Sequence, residues 1–324
     1  MNYSKTDHFN GKKFHNLDPT LKGGKNLFHV LKWRFLNPLI KWPRQKDDAL
    51  TPELSLSIKK DECAITWVDH ATALVQFEGF SALTDPVFSK RVSPISWLGP
   101  KRVKNPGLML SELPKIDVVV ISHNHYDHMD LASIKTIWHM YQPLIIVPLG
   151  NAQIIRSLGI DKVLELDWWG SHQFSDAHQV ILTPAQHWSA RGIFDRYKAL
   201  WGGFIIKSFD IKVFFAGDTG YNSHFKMIRK RFGKMDFSLL PIGAYEPRWF
   251  MKDNHMNPSE AVKAHVDLES QMSMGIHFDT FQLSNEAIDD PVKDLNKSLA
   301  KHSISPEIFI APKIGQTVLY KKTL

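Results

Sequence analysis

Ten residues constrain this chain more than any others: I-S-H-N-H-Y-D-H-M-D, residues 121–130, which continue directly from the apolar run 118–121. They place His123, His125, Asp127 and His128 within six positions. Imidazole and carboxylate at this density, at the end of a strand-like run, read as a metal site; the alternative is a surface loop that happens to be rich in histidine. One tetrahedral ion cannot take all four groups and also accept ligands from elsewhere. The spacing therefore predicts two ions sharing the segment.

Sulfur cannot be the main ligand, because Cys63 is the only cysteine. The ions must be held by imidazole and carboxylate, a set that suits zinc best without excluding iron or manganese. A single cysteine also rules out an intramolecular disulfide. Cys63 opens an apolar run and reads as a small buried residue. With 324 residues, 43% hydrophobic and 23% charged, the chain is globular and large enough for a substantial core. Its formal charge of +7 favours an anionic partner: phosphate ester, nucleic acid or acidic lipid. Residues 1–25 are polar and lack the apolar segment of a secretory leader, and no apolar run is long enough to span a bilayer. The expectation is a cytoplasmic protein, soluble or peripheral on a membrane face.

Residues 1–60 differ from the rest and read as a basic, aromatic N-terminal arm ahead of a single domain over 61–324. Within 25–44, Leu27, Phe28, Leu31, Phe35 and Leu36 recur at helical spacing among Lys32, Arg34, Lys41 and Arg44. Such a helix, with Trp33 and Trp42, suits a lipid interface. It suits equally well an arm packed on its own domain or on the second subunit of a homodimer.

From residue 64 onward short apolar runs alternate with turns and helical segments. Strands are predicted at 64–68, 73–77, 81–84, 117–121, 144–147, 179–182, 204–207, 212–216, 237–241 and 271–276. Helices are predicted at 131–139, 152–158, 223–231 and 258–266, the last capped by Asn257 with Pro258 in its first turn. Five apolar runs end in a polar elbow: at Asp85, at the histidine cluster, at His187, at Asp218 and at His277. An α/β fold that delivers groups from several strand ends builds its site along one edge. His123, His125, Asp127, His128, His187, Asp218 and His277 are about the number two metals need, and a carboxylate such as Asp218 has two oxygens with which to bridge. Gly217 and Gly220 flank Asp218 and let backbone approach closely. His70 reads as structural, in a hairpin turn.

The string H-N-H-Y-D-H resembles the H-x-H-x-D-H signature of the metallo-β-lactamase superfamily. Further strings resemble, within it, the N-acylphosphatidylethanolamine-hydrolysing phospholipase D family and its bacterial relatives: W-V-D-H-A-T, L-T-D-P-V-F, G-P-K-R, S-E-L-P-K-I-D, T-P-A-Q-H-W, F-F-A-G-D-T-G-Y and P-I-G-A-Y-E-P-R-W-F-M. The similarity runs from about residue 64 to 291, and the last string is far more specific than the superfamily signature. Asp69 departs from it, standing where the family has glycine before the histidine.

The resemblance implies an α/β fold, the αβ/βα sandwich of two mixed β-sheets flanked by helices. It implies two zinc ions per chain, one on His123, His125 and His187 and one on Asp127, His128 and His277, with Asp218 bridging. Asp127, His255 and Tyr126 would be catalytic, with His255 beside the substrate phosphate and Tyr126 in the same cavity, both binding substrate. A bridging Asp218 where β-lactam-cleaving relatives carry cysteine points to phosphodiester, thioester or lactone hydrolysis. His125, where oxygen-reducing di-iron relatives carry glutamate, disfavours redox chemistry. The implied activity is a zinc-dependent phosphodiesterase of phospholipase D type, hydrolysing N-acylphosphatidylethanolamine to N-acylethanolamine and phosphatidic acid through a hydroxide held by the two ions. The other readings are a general dizinc lactonase or phosphodiesterase, and a non-catalytic membrane protein that kept the fold. A phospholipid is the expected partner and nucleic acid is not, since the short stretch from Asp218 to His277 has no room for the inserted domain of the superfamily's nucleases.

Overall fold

Val118, Val119 and Val120 are all sealed from solvent, which a strand achieves only when both of its faces are covered. Val118 and Val120 enter a core shared with the other sheet, while Val119 lies with Ile134, Ile137 and Ile155 beneath helices. This is why the run before the histidine cluster is continuously apolar rather than alternating. The computed structural model describes residues 3–18, 29, 32–33, 36, 40–43, 50–52, 54 and 57–322.

Among these residues the strands, in chain order, are β1 (Glu62–Asp69), β2 (Thr72–Phe77), β3 (Phe80–Thr84), β4 (Val118–Val120), β5 (Leu144–Pro148), β6 (Val163–Leu166), β7 (Ser171–Gln173), β8 (His178–Thr183), β9 (Gly203–Ser208), β10 (Ile211–Phe215), β11 (Phe237–Pro241), β12 (Met272–Ile276), β13 (Phe309–Ile310) and β14 (Thr317–Lys321). The helices are α1 (Leu131–Tyr141), α2 (Ala152–Arg156), α3 (His224–Phe232), α4 (Arg248–Met251), α5 (Pro258–Leu268) and α6 (Asp290–His302). Two seven-stranded sheets result, ordered β14-β1-β2-β3-β4-β5-β6 and β13-β12-β11-β10-β9-β8-β7. Each is mixed: pairing is antiparallel from β14 to β3 and from β7 to β10, and parallel from β3 to β6 and from β10 to β13. Parallel neighbours need crossovers, and most of the helices supply them on the outer faces. The expected αβ/βα sandwich is what the chain forms.

Between the sheets, Trp67, Val75, Val118 and Val120 pack with Phe204, Phe215, Leu239 and Ile276. Local chemistry sets the helix starts as the sequence indicates: Asn257 Oδ1 accepts from the Glu260 amide at 2.9 Å, and the Glu260 carboxylate accepts from the Asn257 amide at 3.1 Å. The predicted strands and helices all form, with ends shifted by a few residues. Four strands and two helices were not foreseen. The edge strand β7 is polar and partly exposed and is set by backbone pairing, whereas β14 also lays Val318 and Tyr320 against the core between the sheets. Helix α6 carried a readable signal, Pro291, Leu295 and Leu299 at four-residue spacing.

Most of the helical stripe predicted over 25–44 lies outside the described residues, as do Leu27, Phe28, Leu31 and Phe35. Trp33 is buried and Leu36 is exposed. Ahead of it, Phe9 and Phe14 join the main core and Tyr3 donates to the Glu165 carboxylate on β6 at 2.7 Å. Among the described residues no helix is long and apolar enough to cross a membrane.

Candidate metal centre

Five segments leave the strands at one edge and meet there. After β4, the His128 and Met129 amides both donate to the His125 carbonyl, at 3.2 and 2.9 Å, curling the segment so that its side chains converge. His187 follows β8, Asp218 follows β10 and His277 follows β12. Gly217, at φ 59°, is needed where it stands: a Cβ there would lie 2.5 Å from that of Ser122, beside the first histidine.

The predicted residues come together in two groups. His123 Nε2 lies 2.8 Å from His125 Nδ1, which lies 3.3 Å from His187 Nε2. On the other side, Asp127 Oδ2 stands 3.4 Å from both His128 Nε2 and His277 Nε2. Asp218 sits between them. Its Oδ2 is 4.0 Å from His123 Nε2, 3.8 Å from His187 Nε2 and 3.1 Å from His128 Nε2, while Oδ1 is 3.1 Å from His277 Nε2. Each group could hold one ion, and Asp218 could reach both.

Several atoms that face this space are buried without an aligned hydrogen-bond partner: His128 Nε2, His277 Nε2 and Asp218 Oδ1. Buried polar atoms are normally satisfied, and lone pairs converging from imidazole and carboxylate suit a divalent cation. The electrostatics agree. Burial pulls His123 and His187 well below the ordinary histidine value and His125 to about 4, leaving neutral imidazoles, the ligating form. Burial pushes His128 and His277 the same way, but the Asp218 and Asp127 carboxylates overcome it, raising His128 well above its usual range and His277 to about 9. The two carboxylates thus demand positive charge at the positions a metal would take.

A second layer fixes the rings. His128 Nδ1 donates to Asp85 at 2.6 Å, and His187 Nδ1 to the Asn254 carbonyl at 3.0 Å. His70, read from the sequence as structural, does sit in the β1–β2 turn but also belongs to the site: its Nε2 is 3.1 Å from Asp127 Oδ2, within the Asp127, His128 and His277 group. The signal was present, since His70 also follows a strand end. Asp69, the departure from glycine, leaves the hairpin closed; it is fully buried and paired with the Arg102 guanidinium.

Outside the ligand groups, His255 follows α4 with Nδ1 3.8 Å from Asp218 Oδ2. Tyr126 packs its ring 4.0 Å from the Arg191 guanidinium and donates its hydroxyl to the Arg191 carbonyl at 3.0 Å. Both line a cleft of about 360 Å³ that opens onto Asp127 and Asp218, with Trp33, Trp188, Phe250 and Leu283 forming apolar walls. The arrangement presents a metal-binding floor beneath a mostly hydrophobic opening.

A family model described as "Beta-lactamase superfamily domain" matches residues 82–278. The chain is 41% identical over 237 residues to an uncharacterized protein of Mycobacterium tuberculosis, covering 72% of this chain and 63% of that one, so it spans less than two thirds of that relative's length. It is 38% identical over 264 residues to N-acyl-phosphatidylethanolamine-hydrolyzing phospholipase D 1 of Caenorhabditis elegans, covering 78% and 74% of the two chains. Among solved structures, Igni18, a metallo hydrolase of Ignicoccus hospitalis, superposes with a TM-score of 0.62 at 21% identity over 81% of this chain and all of its own, a likeness of fold. With the family model covering more than half the chain and the worm relative matched along most of its length, the chain belongs to the metallo-β-lactamase superfamily and is similar to the N-acylphosphatidylethanolamine-hydrolysing phospholipases D.

Proposed function

We propose that this protein is a zinc-dependent phosphodiesterase of phospholipase D type that hydrolyses N-acylphosphatidylethanolamine. The placement of Asp218 carries this reading: at the floor of an apolar cleft its Oδ1 lies 3.1 Å from His277 Nε2, while its Oδ2 lies 3.1 Å from His128 Nε2 and 3.8 and 4.0 Å from His187 and His123 Nε2 of the other group. The printed name of the worm relative supports the substrate. His123, His125 and His187 would hold one ion, Asp127, His128 and His277 the other, and Asp218 both. Two zinc ions supply Lewis-acid stabilisation of phosphoryl charge and an acidified water.

The chain's own residues do the rest. Tyr126 and His255 line the cleft beside the carboxylates; His255, which burial lowers to about 4 and so keeps neutral, holds a phosphate oxygen or relays the proton given up by the attacking water to the departing ethanolamine oxygen. Asp127 orients the attacking water. The bond between phosphorus and that oxygen breaks, a P–O bond to water oxygen forms, and the products are N-acylethanolamine and phosphatidic acid. Trp33, Trp188, Phe250 and Leu283 exclude bulk water and accept acyl chains. Residues 61–324 form the hydrolase domain and 1–60 its N-terminal arm.

A lipid substrate suggests peripheral contact with a membrane. Trp97 is 73% exposed, Ile193 89% and Phe194 86%. Their loops flank a hollow of about 600 Å³, lined by Arg91, Ser96 and Arg191, that shares Tyr126 with the cleft. Apolar side chains held this far into water beside cations suit a lipid interface.

The test compares zinc-loaded protein on N-acylphosphatidylethanolamine, a bis-aryl phosphodiester and an acyl lactone. Preference for the lipid supports the reading; preference for the lactone overturns it. Asp218→Asn should lose bound zinc and lower turnover more than about a hundredfold, beyond the cost of disturbing a residue that merely orients a ligand. Full activity in that variant would sink the two-metal scheme.

A further inference from the structure

Asn16 is 171 residues from His187 in sequence and buried against it. Its side-chain amide pairs with both backbone groups of His187: Nδ2 donates to the His187 carbonyl at 2.9 Å and Oδ1 accepts from the His187 amide at 3.0 Å. Trp201 Nε1 donates to the same Oδ1 at 3.1 Å. His187 lies beyond the end of β8, where no neighbouring strand fixes its backbone. Asn254 turns the ring, and Asn16 holds the main chain that carries it. The segment bearing Asn16 is itself anchored, with the Phe14 amide donating to the Tyr197 carbonyl at 2.8 Å.

Farther along the same segment, Trp33 enters the cleft. It is 7% exposed, stacks on Phe250 with ring centroids 4.9 Å apart and donates its indole N–H to Asn285. It lines the cleft together with Asp127, Asp218 and His255. Both residues precede residue 82, where the family match begins.

We infer that the N-terminal segment is a working part of the active site: Asn16 is a positioning residue that sets His187, and Trp33 determines which substrates the cleft accepts. The inference rests on the two-metal reading above. A side chain that replaces strand pairing around a ligand must be in place before the His123, His125 and His187 group can close on an ion. An indole that forms one wall of the cleft contacts the substrate's apolar portion and leaves the metals untouched.

The experiment uses full-length, zinc-loaded protein. Zinc retention against a graded chelator and the absorption spectrum after cobalt substitution are compared for wild type, Asn16→Ala and Asn16→Asp. Asn16→Asp keeps the size of the side chain but turns an oxygen toward the His187 carbonyl. Both variants should release one of the two ions at least about tenfold more readily, as expected when a ligand loses its orienting partner, and keep the other, with a changed cobalt spectrum. Should Asn16→Ala fail to fold, Asn16→Asp alone decides. Retention equal to wild type overturns the role of Asn16. Trp33→Ala should bind zinc normally and raise KM for the long-chain lipid several-fold more than KM for a small aryl phosphodiester; equal changes on the two substrates overturn the role of Trp33. A wild type that binds no zinc overturns the metal reading and this inference together, whereas zinc-replete variants indistinguishable from wild type overturn the inference alone.

Discussion

His128 donates from Nδ1 to the Asp85 carboxylate at 2.6 Å, with both side chains sealed from solvent. The same carboxylate accepts the Ser122 hydroxyl at 2.5 Å and the Ser122 amide at 2.7 Å, and that hydroxyl stands 2.9 Å from His123 Nδ1. One aspartate after β3 therefore orients a histidine from each ligand group. Asp85→Ala should weaken metal binding about 10–100-fold at both groups, unlike Asn16→Ala, which acts on one. Chelator competition on both variants checks this, and loss at a single group only would refute it.

The buried pair of Asp69 and Arg102 stands behind the same edge, Arg102 also packing 5.0 Å from the Phe281 ring, which meets His70 edge-on at 5.2 Å. Removing one partner leaves the other charge buried without its counter-ion, at a cost of about 3–5 kcal/mol. Arg102→Met should lose stability on that scale in denaturant unfolding. The double variant Asp69→Gly with Arg102→Met should recover much of the loss, since neither charge is then left buried without the other. A double variant no more stable than the single would argue against the pair.

Docking of the N-terminal segment should depend on pH through His8. Burial opposes protonation of His8, but hydrogen bonds from its ring to Asp167 and Asp7, both 2.7 Å, raise its pKa above the ordinary value. A histidine whose folded pKa is raised contributes stability that is fully present below its unfolded value, about 6.5, and is lost as pH rises through the folded pKa. Hydrogen exchange over residues 3–16 should therefore be slowest in mildly acidic buffer, after correction for intrinsic rates, and should speed up through neutrality. His8→Ala should flatten the profile; a profile unchanged by that substitution would count against this account.

In the membrane contact proposed above, the exposed side chains of Trp97 and Phe194 would enter the interface. Burial of one such side chain in an interface contributes about 1.5–3 kcal/mol. Phe194→Ser combined with Trp97→Ser should lower binding to anionic vesicles more than tenfold and reduce turnover of vesicle-embedded substrate, while leaving hydrolysis of a soluble phosphodiester intact. Equal loss on both substrates would mean that these loops shape the site instead.

What the sequence determined by itself was the set of candidate ligands: four in six residues and three more at strand ends, one of them an aspartate flanked by two glycines. Ligand identity is local, because each side chain follows an apolar run whose periodicity is visible in one dimension. The same runs read as one α/β domain, and the sandwich was implied by the resemblance to the family. Only the tertiary structure decided what lies behind the ligands. His70, Asp85 and Asn16 act across separations of 57, 43 and 171 residues, and no periodicity encodes a contact between distant segments. The edge strand β7 was invisible for a related reason, since exposed polar residues become a strand only when a neighbour offers its backbone, whereas β14 carried a readable alternation in Val318 and Tyr320. The residues that could bind the metals were legible one at a time, whereas the residues that hold them in position exist as such only after the two sheets have closed.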